Sequence, residues 1–297
     1  MKPGIQVYLS SLKEIIDKKL LELLPSSSDP MSKLEESMHY SILAGGKRLR
    51  PILCISASEA VGGSVDKALG VACAIEMIHT YSLIHDDLPS MDDDLLRRGL
   101  PTNHSVFGEA LAILAGDALL TDAFCIIAGE GISNLLVPEV VVEIIGDISR
   151  ATGSQGMVGG QALDLAIEGK DVNVEFIEKV YTCKTGALIE ASVISGARIG
   201  EATDDQLSQL RCYGRFLGLA FQIIDDILDI EGGTETGKNR GADARKNKAT
   251  YPALVGVGEA RRVAAVLTEE SIFALKDFDE RADTLRELSF YLGGRKY

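Results

Sequence analysis

Along this chain apolar residues recur three and four positions apart, and almost nowhere do apolar and polar residues alternate as a half-buried strand requires. The pattern predicts helices over Ile5–Leu24, Ser32–Ala44, a segment starting near Pro51, Ser64–Asp87, Phe107–Ala128, Leu135–Arg150, Gly153–Leu165, Val174–Ala197 and Thr203–Ile230. From Tyr251 the chain reads as helical again to near Leu292. Most of the eight prolines stand at the edges of these segments, where a missing N–H costs least. Pro25–Pro30 is a turn-rich linker, and Gly45-Gly46 is a glycine ending to the second helix. Arg50 precedes a proline and is therefore biased toward an extended conformation. With no internal repeat, low-complexity tract or domain boundary in view, the expectation is one all-α domain over 1–297.

Composition narrows the function. The 297 residues are 46% hydrophobic and 25% charged, with a net charge of −14. That is a globular composition, and its acidity argues against a general nucleic-acid partner, because the phosphate backbone would be repelled. An acidic protein that binds an anion must do so through local cations or a metal. The five cysteines (Cys54, Cys73, Cys125, Cys183, Cys212) include no Cys-x-x-Cys pair, so zinc and redox motifs are not expected. Met1–Asp17 has no hydrophobic signal core, and no apolar run reads as long enough to span a bilayer, so the expected location is the cytoplasm.

Two acidic clusters interrupt the apolar pattern. The first, Asp86-Asp87-Leu88-Pro89-Ser90-Met91-Asp92-Asp93-Asp94, ends the fourth predicted helix and is followed by Arg97-Arg98-Gly99. The second, Asp225-Asp226-Ile227-Leu228-Asp229, ends another strongly apolar segment, with Asp225 and Asp229 on one helix face. Carboxylates packed this closely stay in water or are neutralised by a cation, and an all-oxygen donor set favours Mg²⁺ or Mn²⁺ over zinc. Asp86 and Asp92 are too far apart in register to share a face of a straight helix. Pro89 is expected to break the turn and swing Asp92 back.

Cations lie near these clusters. Lys47, Arg48 and Arg50 form a basic loop that is either a phosphate cradle or a dipole-complementing helix end. His79, two turns before Asp86, is either a packed core residue or a ligand on the aspartate side. Lys184-Thr185-Gly186 places a lysine in an apolar segment, as an anion ligand beside a locally opened helix turn or as a snorkelling surface residue. Gln222 lies three residues before Asp225 and shares its face. Glu231–Lys248 carries Lys238, Arg240, Arg245, Lys246 and Lys248, as a basic lid or as a solvated loop.

Taken in order, Gly45-Gly46-Lys47-Arg48-Leu49-Arg50-Pro51, the Asp-Asp-x4-Asp run with Arg97-Arg98-Gly99, Gly-Gly-Gln-Ala-Leu-Asp-Leu at 159–165, Lys184-Thr185 and Gln222–Asp229 closely resemble the trans-isoprenyl diphosphate synthases. The likeness is greatest to the bacterial farnesyl diphosphate synthases and their geranylgeranyl relatives. The resemblance implies an isoprenoid synthase fold, a helical bundle around a central cavity, and a homodimer. It implies that Lys47, Arg50, His79 and Arg98 hold the diphosphate of isopentenyl diphosphate. It implies that Asp86, Asp92 and Asp225 ligate three Mg²⁺ ions, replaceable by Mn²⁺, with Asp87, Asp226 and Asp229 in support. Arg97, Lys184, Lys238 and Lys248 would hold the allylic diphosphate, and Thr185 and Gln222 would lie near the cleaving C–O bond.

The implied reaction ionises dimethylallyl or geranyl diphosphate. The isopentenyl double bond then attacks the cation, and the departing diphosphate takes up the proton. Tyr81 and Ser82, five and four residues before Asp86, would set chain length, the tyrosine ring limiting the product to C15 where it is not an ordinary core aromatic. A geranylgeranyl product, a class I terpene cyclase and a non-catalytic subunit are the alternatives. A cyclase has no use for the Lys47, Arg50, His79 and Arg98 set, and such subunits typically lose motif aspartates that are intact here.

Overall fold

A computed structural model describes residues 4–25, 32–133, 135–167, 169–232 and 249–294. Its helices are α1 (Ile5–Leu23), α2 (Ser32–Leu43), α3 (Leu49–Ala60), α4 (Val65–Asp86), α5 (Asn103–Phe107), α6 (Glu109–Ile132), α7 (Pro138–Thr152), α8 (Met157–Ala166), α9 (Val174–Tyr181), α10 (Ala187–Ile199), α11 (Asp204–Glu231), α12 (Tyr251–Val255), α13 (Val257–Phe273) and α14 (Asp283–Gly293). The strands among the described residues are a two-residue antiparallel pair, β1 (Leu96–Arg97) and β2 (Leu100–Pro101). The expected all-α class is therefore observed. Two compact units divide the chain. One takes Met1–Ile52 and Asp66–Val142, the other Leu53–Val65 and Glu143–Tyr297.

In the first unit, α4 is buried on nearly every face, which explains why its apolar residues show so little sidedness. Its Glu76 and the α1 residue Asp17 enclose Arg48, which is 2% exposed. The guanidinium donates to Asp17 Oδ1 at 2.7 Å, Glu76 Oε1 at 2.9 Å and the Ile42 carbonyl at 2.7 Å. A charge this deeply buried is tolerable only when so paired. In the second unit, α11 starts with a capping box, Thr203 and Gln206 each satisfying the other's backbone N–H. Ile223 and Ile227 of α11 pack with Ile177 and Val180 of α9 and with Ala260 and Ala264 of α13 in one core cluster.

Three expectations need correction. Helix α3 starts at Leu49, so Arg50 is helical. Pro51 falls in the first turn, where no N–H is required, and the irregular backbone moves to Arg48 at φ 50. The predicted Phe107–Ala128 helix is interrupted at Gly108 (φ 86), which separates α5 from α6. Finally, α4 and α6 are long and apolar enough to cross a membrane by length and composition. The relevant window of α4 is 72% buried, as a core helix should be, whereas that of α6 is 33% buried.

Candidate active site

The first unit carries Lys47, Arg48, Arg50, His79, Tyr81, Ser82, Asp86, Asp87, Asp92, Arg97 and Arg98, all singled out in the sequence. Helix α4 stops at Asp86, and the chain turns at once: the Asp92 N–H donates to the Asp86 carbonyl at 2.8 Å, and Asp93 N–H to the Leu88 carbonyl at 3.1 Å. The expected return of Asp92 to Asp86 is thus made by the backbone, with Asp93 in the left-handed region at φ 50. Asp87 is buried and faces inward to Arg97, whose Nε lies 2.8 Å from Oδ1 and whose Nη2 lies 2.5 Å from the same oxygen. This fork-to-carboxylate geometry fixes the arginine as firmly as it fixes the aspartate.

Arg98 and Gly99 occupy the turn of the hairpin at φ 53 and 79, the left-handed pair that a two-residue connection demands. The Arg98 guanidinium donates to the Gly45 carbonyl. It also lies flat against Gly46, where an added Cβ would come within 2.7 Å of Cζ and both terminal nitrogens. The base of the hairpin is pinned by Asn103, which accepts from Ser37 Oγ at 2.9 Å and donates to the Ser37 carbonyl at 2.9 Å and to Ser41 Oγ at 2.8 Å. Tyr40 adds a bond to the Pro101 carbonyl at 2.8 Å. A small cleft lined by Tyr40, Thr80, Asp87, Arg97, Arg98 and Thr102 opens beside it.

Around His79 the field is strongly positive. Burial first, and then Arg50, Arg98, Arg97 and Arg48, hold its imidazole well below the usual 6.5, so it is neutral at physiological pH. Burial brings the Arg50 guanidinium down to about 10, with Glu76 opposing the fall and Arg98 adding to it. The buried Arg50 Nε has no hydrogen-bond partner. Arg48 is committed to its carboxylates. Arg50 and Arg98 thus stand near a neutral imidazole, cations whose burial favours an anionic partner. Lys47 is exposed at the preceding turn.

Two residues further along α4, Tyr81 is 6% exposed and stands edge-on to His85, ring centroids 5.6 Å apart. Burial, and then Asp86, push its hydroxyl up to about 12. His85 meets the Ile113 carbonyl at 3.1 Å and fills the space a side chain on Gly116 would occupy. Ser82 Oγ donates to the His79 carbonyl at 2.9 Å, so its hydroxyl is used within its own helix.

In the second unit the anticipated opened turn is real: Thr182–Gly186 is π-helical between α9 and α10. It carries Lys184, whose Nζ is 2.7 Å from Asp164 Oδ2 on α8. Gly160 permits that approach, since a Cβ there would lie 2.6 Å from the Lys184 Cα. Thr185 Oγ1 donates to Gln222 Oε1 at 2.9 Å, and Gln222 Nε2 donates to Asp226 Oδ1 at 3.1 Å. Asp226 is buried and also accepts from the Tyr181 hydroxyl, while Asp225 and Asp229 are partly exposed on α11. Lys238 and Lys248 lie outside the described residues.

In the first unit Asp86 and Asp92, and in the second Asp225 and Asp229, each offer only hard oxygen donors, which suits divalent cations of the Mg²⁺ type. Among the described residues no three His, Cys, Asp or Glu side chains converge to hold an ion alone. Such an ion would complete its shell with water and ligand oxygens, as Mg²⁺ commonly does. Asn103 and Tyr181 were not singled out in the sequence, because they act through partners tens of residues away.

A family model described as polyprenyl synthetase matches residues 31–284. The farnesyl diphosphate synthase of Geobacillus stearothermophilus is 48% identical over 277 residues, covering 93% of each chain. The chloroplastic geranylgeranyl pyrophosphate synthase of Catharanthus roseus is 49% identical over 268 residues, 89% of this chain and 74% of that protein. A crystal structure of an FPP/GFPP synthase from Zymomonas mobilis superposes with a TM-score of 0.88 at 40% identity, covering 98% of this chain and 99% of that one. The chain belongs to the polyprenyl synthetase family and has its all-α isoprenoid synthase fold. It is a prenyltransferase of isoprenoid biosynthesis. The family uses divalent metal ions and implies an allylic diphosphate and isopentenyl diphosphate as substrates.

Proposed function

We propose that this prenyltransferase makes farnesyl diphosphate, condensing isopentenyl diphosphate 1′-4 with dimethylallyl and then geranyl diphosphate. The observation that carries the product length is Tyr81. Its buried ring stands five residues before Asp86, about 7.5 Å down α4 at the helical rise, braced by His85. In this reading the ring stops the tail that grows down from the aspartates along α4 at the C15 product. Geranylgeranyl diphosphate is the second reading, favoured by the equally similar Catharanthus roseus protein.

In this reading Asp86, Asp92 and Asp225 hold three Mg²⁺ ions, with Asp87, Asp226 and Asp229 in support. The ions supply charge neutralisation to a diphosphate that is otherwise a poor leaving group. Arg97, Lys184, Lys238 and Lys248 orient the allylic diphosphate, and Lys47, Arg50, His79 and Arg98 take the isopentenyl diphosphate. The partnerless Arg50 Nε supports that second assignment. Thr185 and Gln222 face the carbon from which diphosphate departs with the C–O bonding pair. The isopentenyl double bond attacks that carbon, and the resulting cation loses a proton to the departed diphosphate.

The reading extends to a homodimer, supported by the exposed apolar residues Ile113 and Leu114 on α6, and to a reducing cytoplasm, supported by five free thiols. One continuous family match over 31–284 supports a single catalytic domain. Labelled isopentenyl diphosphate, Mg²⁺ and dimethylallyl diphosphate, with Tyr81→Ala beside the wild type, test the proposal. A C15 product that lengthens in Tyr81→Ala is expected. A C20 product from the wild type overturns the product length, and no incorporation overturns the synthase reading.

A further inference from the structure

One carboxylate in the first unit serves three guanidinium groups. Glu76 is 1% exposed on α4, one turn before His79 and on the same face. Its Oε1 accepts from Arg48 Nη1 at 2.9 Å, while its Oε2 is buried with no hydrogen-bond partner. Arg48 already has Asp17 Oδ1 on its Nε at 2.7 Å and the Ile42 carbonyl on its Nη2 at 2.7 Å. Two carboxylates against one guanidinium leave a negative charge to spare. That charge is the leading electrostatic influence on both Arg50 and Arg98, ahead of the neighbouring arginines. Arg97 is answered separately by Asp87. Among these groups Arg48, Arg50 and Arg98 stand against Asp17 and Glu76, and with His79 neutral one positive charge is left over. Without Glu76 it would be two.

We propose that Glu76 limits the affinity of the isopentenyl diphosphate site, its carboxylate competing with the substrate's diphosphate for the charge of Arg50 and Arg98. The inference rests on the reading that those two arginines take that diphosphate. A carboxylate with both oxygens bonded to guanidinium would be a plain structural counter-ion. Here Glu76 Oε2 and Arg50 Nε are both buried and both without a partner, so hydrogen bonds satisfy neither charge in full. An incoming diphosphate gains the attraction of Arg50 and Arg98 and meets the repulsion of Glu76. That repulsion is the same before and during the reaction, because the isopentenyl diphosphate group itself is not the one that leaves. Such a uniform effect moves KM and leaves kcat in place. A single unit charge beside an anion is worth roughly tenfold in affinity at the effective dielectric of a protein site.

Glu76→Gln keeps the shape and the acceptor for Arg48 and removes the charge. Titration calorimetry of the full chain with isopentenyl diphosphate in the absence of Mg²⁺ reads this site alone, because the aspartate clusters repel diphosphate when no cation is present. The expected dissociation constant is roughly 10-fold lower in Glu76→Gln than in the wild type. With Mg²⁺ and dimethylallyl diphosphate added, KM for isopentenyl diphosphate should fall likewise while kcat and the allylic KM hold. Asp17→Asn is the control. Asp17 bonds Arg48 and is not among the charges that act on Arg50, so its loss should lower the melting temperature and leave affinity within about twofold. A Glu76→Gln affinity equal to or weaker than the wild type's, or an Asp17→Asn that tightens binding as much, overturns the inference and leaves Glu76 as an anchor for Arg48. If Glu76→Gln is unfolded alone, inorganic diphosphate should restore its melting transition by replacing the lost charge, and a variant that it does not restore also overturns the inference. A wild type that binds no isopentenyl diphosphate overturns both the inference and the reading beneath it.

Discussion

Replacing Gly46 by alanine separates two things a glycine can do at this site. A Cβ on Gly46 would sit 2.7 Å from Cζ, Nη1 and Nη2 of Arg98, and Gly46 is at φ 138. Comfortable contact begins near 3.5 Å, so the guanidinium must withdraw by about 0.8 Å, and the strained backbone adds roughly 1–3 kcal/mol. Withdrawal breaks the Arg98 bond to the Gly45 carbonyl and displaces a cation assigned to the isopentenyl diphosphate. One lost hydrogen bond from a charged donor is worth about 1.5–3 kcal/mol, so KM for isopentenyl diphosphate should rise about 10- to 100-fold, with kcat nearly kept. The neighbouring Gly45→Ala is the control. Gly45 is at φ 85 with nothing within 4 Å of its Cβ position, so it carries backbone strain without the clash. Gly45→Ala should lower the melting temperature and leave KM within about twofold. Initial rates against isopentenyl diphosphate at saturating allylic substrate, beside thermal melts, measure both. If the two variants raise KM alike, strain alone is responsible and the cradle for Arg98 is wrong.

The second unit and the histidine give further tests. Gly160→Ala would place a Cβ 2.6 Å from the Lys184 Cα and 2.9 Å from the Cys183 carbonyl carbon, backbone atoms that cannot step aside. Overpacking of about 1–3 kcal/mol and a large loss of kcat are expected, and an unchanged melt with full activity would show the π-turn to be more pliable than described. For His79, the folded imidazole stays neutral well below 6.5 while the unfolded one takes up a proton near that value. The unfolded state then binds more protons, so stability is complete above 6.5 and declines as pH falls below it. His79→Gln should flatten that decline in melts taken across the range, and an identical slope in both proteins would remove His79 as its source.

What the sequence disclosed depended on the range of the interaction involved. Helix periodicity is local, and so the positions of α4 and α11 were legible, as was the turn that returns Asp92 to Asp86 once Pro89 is seen. The opened turn at Lys184 was legible for the same reason, a lysine and a glycine in an apolar run. Arg50 misled, because its proline bias was outweighed by the bonds of buried Arg48, which draw the irregular residue one step upstream from the helix start. The hairpin carrying Arg97 and Arg98 is too short to show alternation, and its anchor Asn103 bonds residues 62 and 66 positions away. Nothing in a window around either segment announces the other.

The two units solve different electrostatic problems with different means. In the first the means is charge: guanidinium groups are held by backbone carbonyls, glycines and carboxylates, and burial, with a smaller push from Arg98 against the pull of Glu76, lowers Arg50 to about 10. A buried cation so placed is stabilised by an anionic partner, which is the basis for reading Arg50 and Arg98 as diphosphate ligands. In the second, the partly buried Thr185 and Gln222 bring no charge of their own, and a buried carboxylate four residues from Gln222 determines which way neutral dipoles point. In the proposed reading, a positive charge at Thr185 would hold diphosphate but oppose the developing cation, whereas an oriented hydroxyl oxygen favours the cation that forms when diphosphate leaves. In that reading binding and bond cleavage fall to separate residues, so the Gly46 variant is expected to act on KM and to spare kcat.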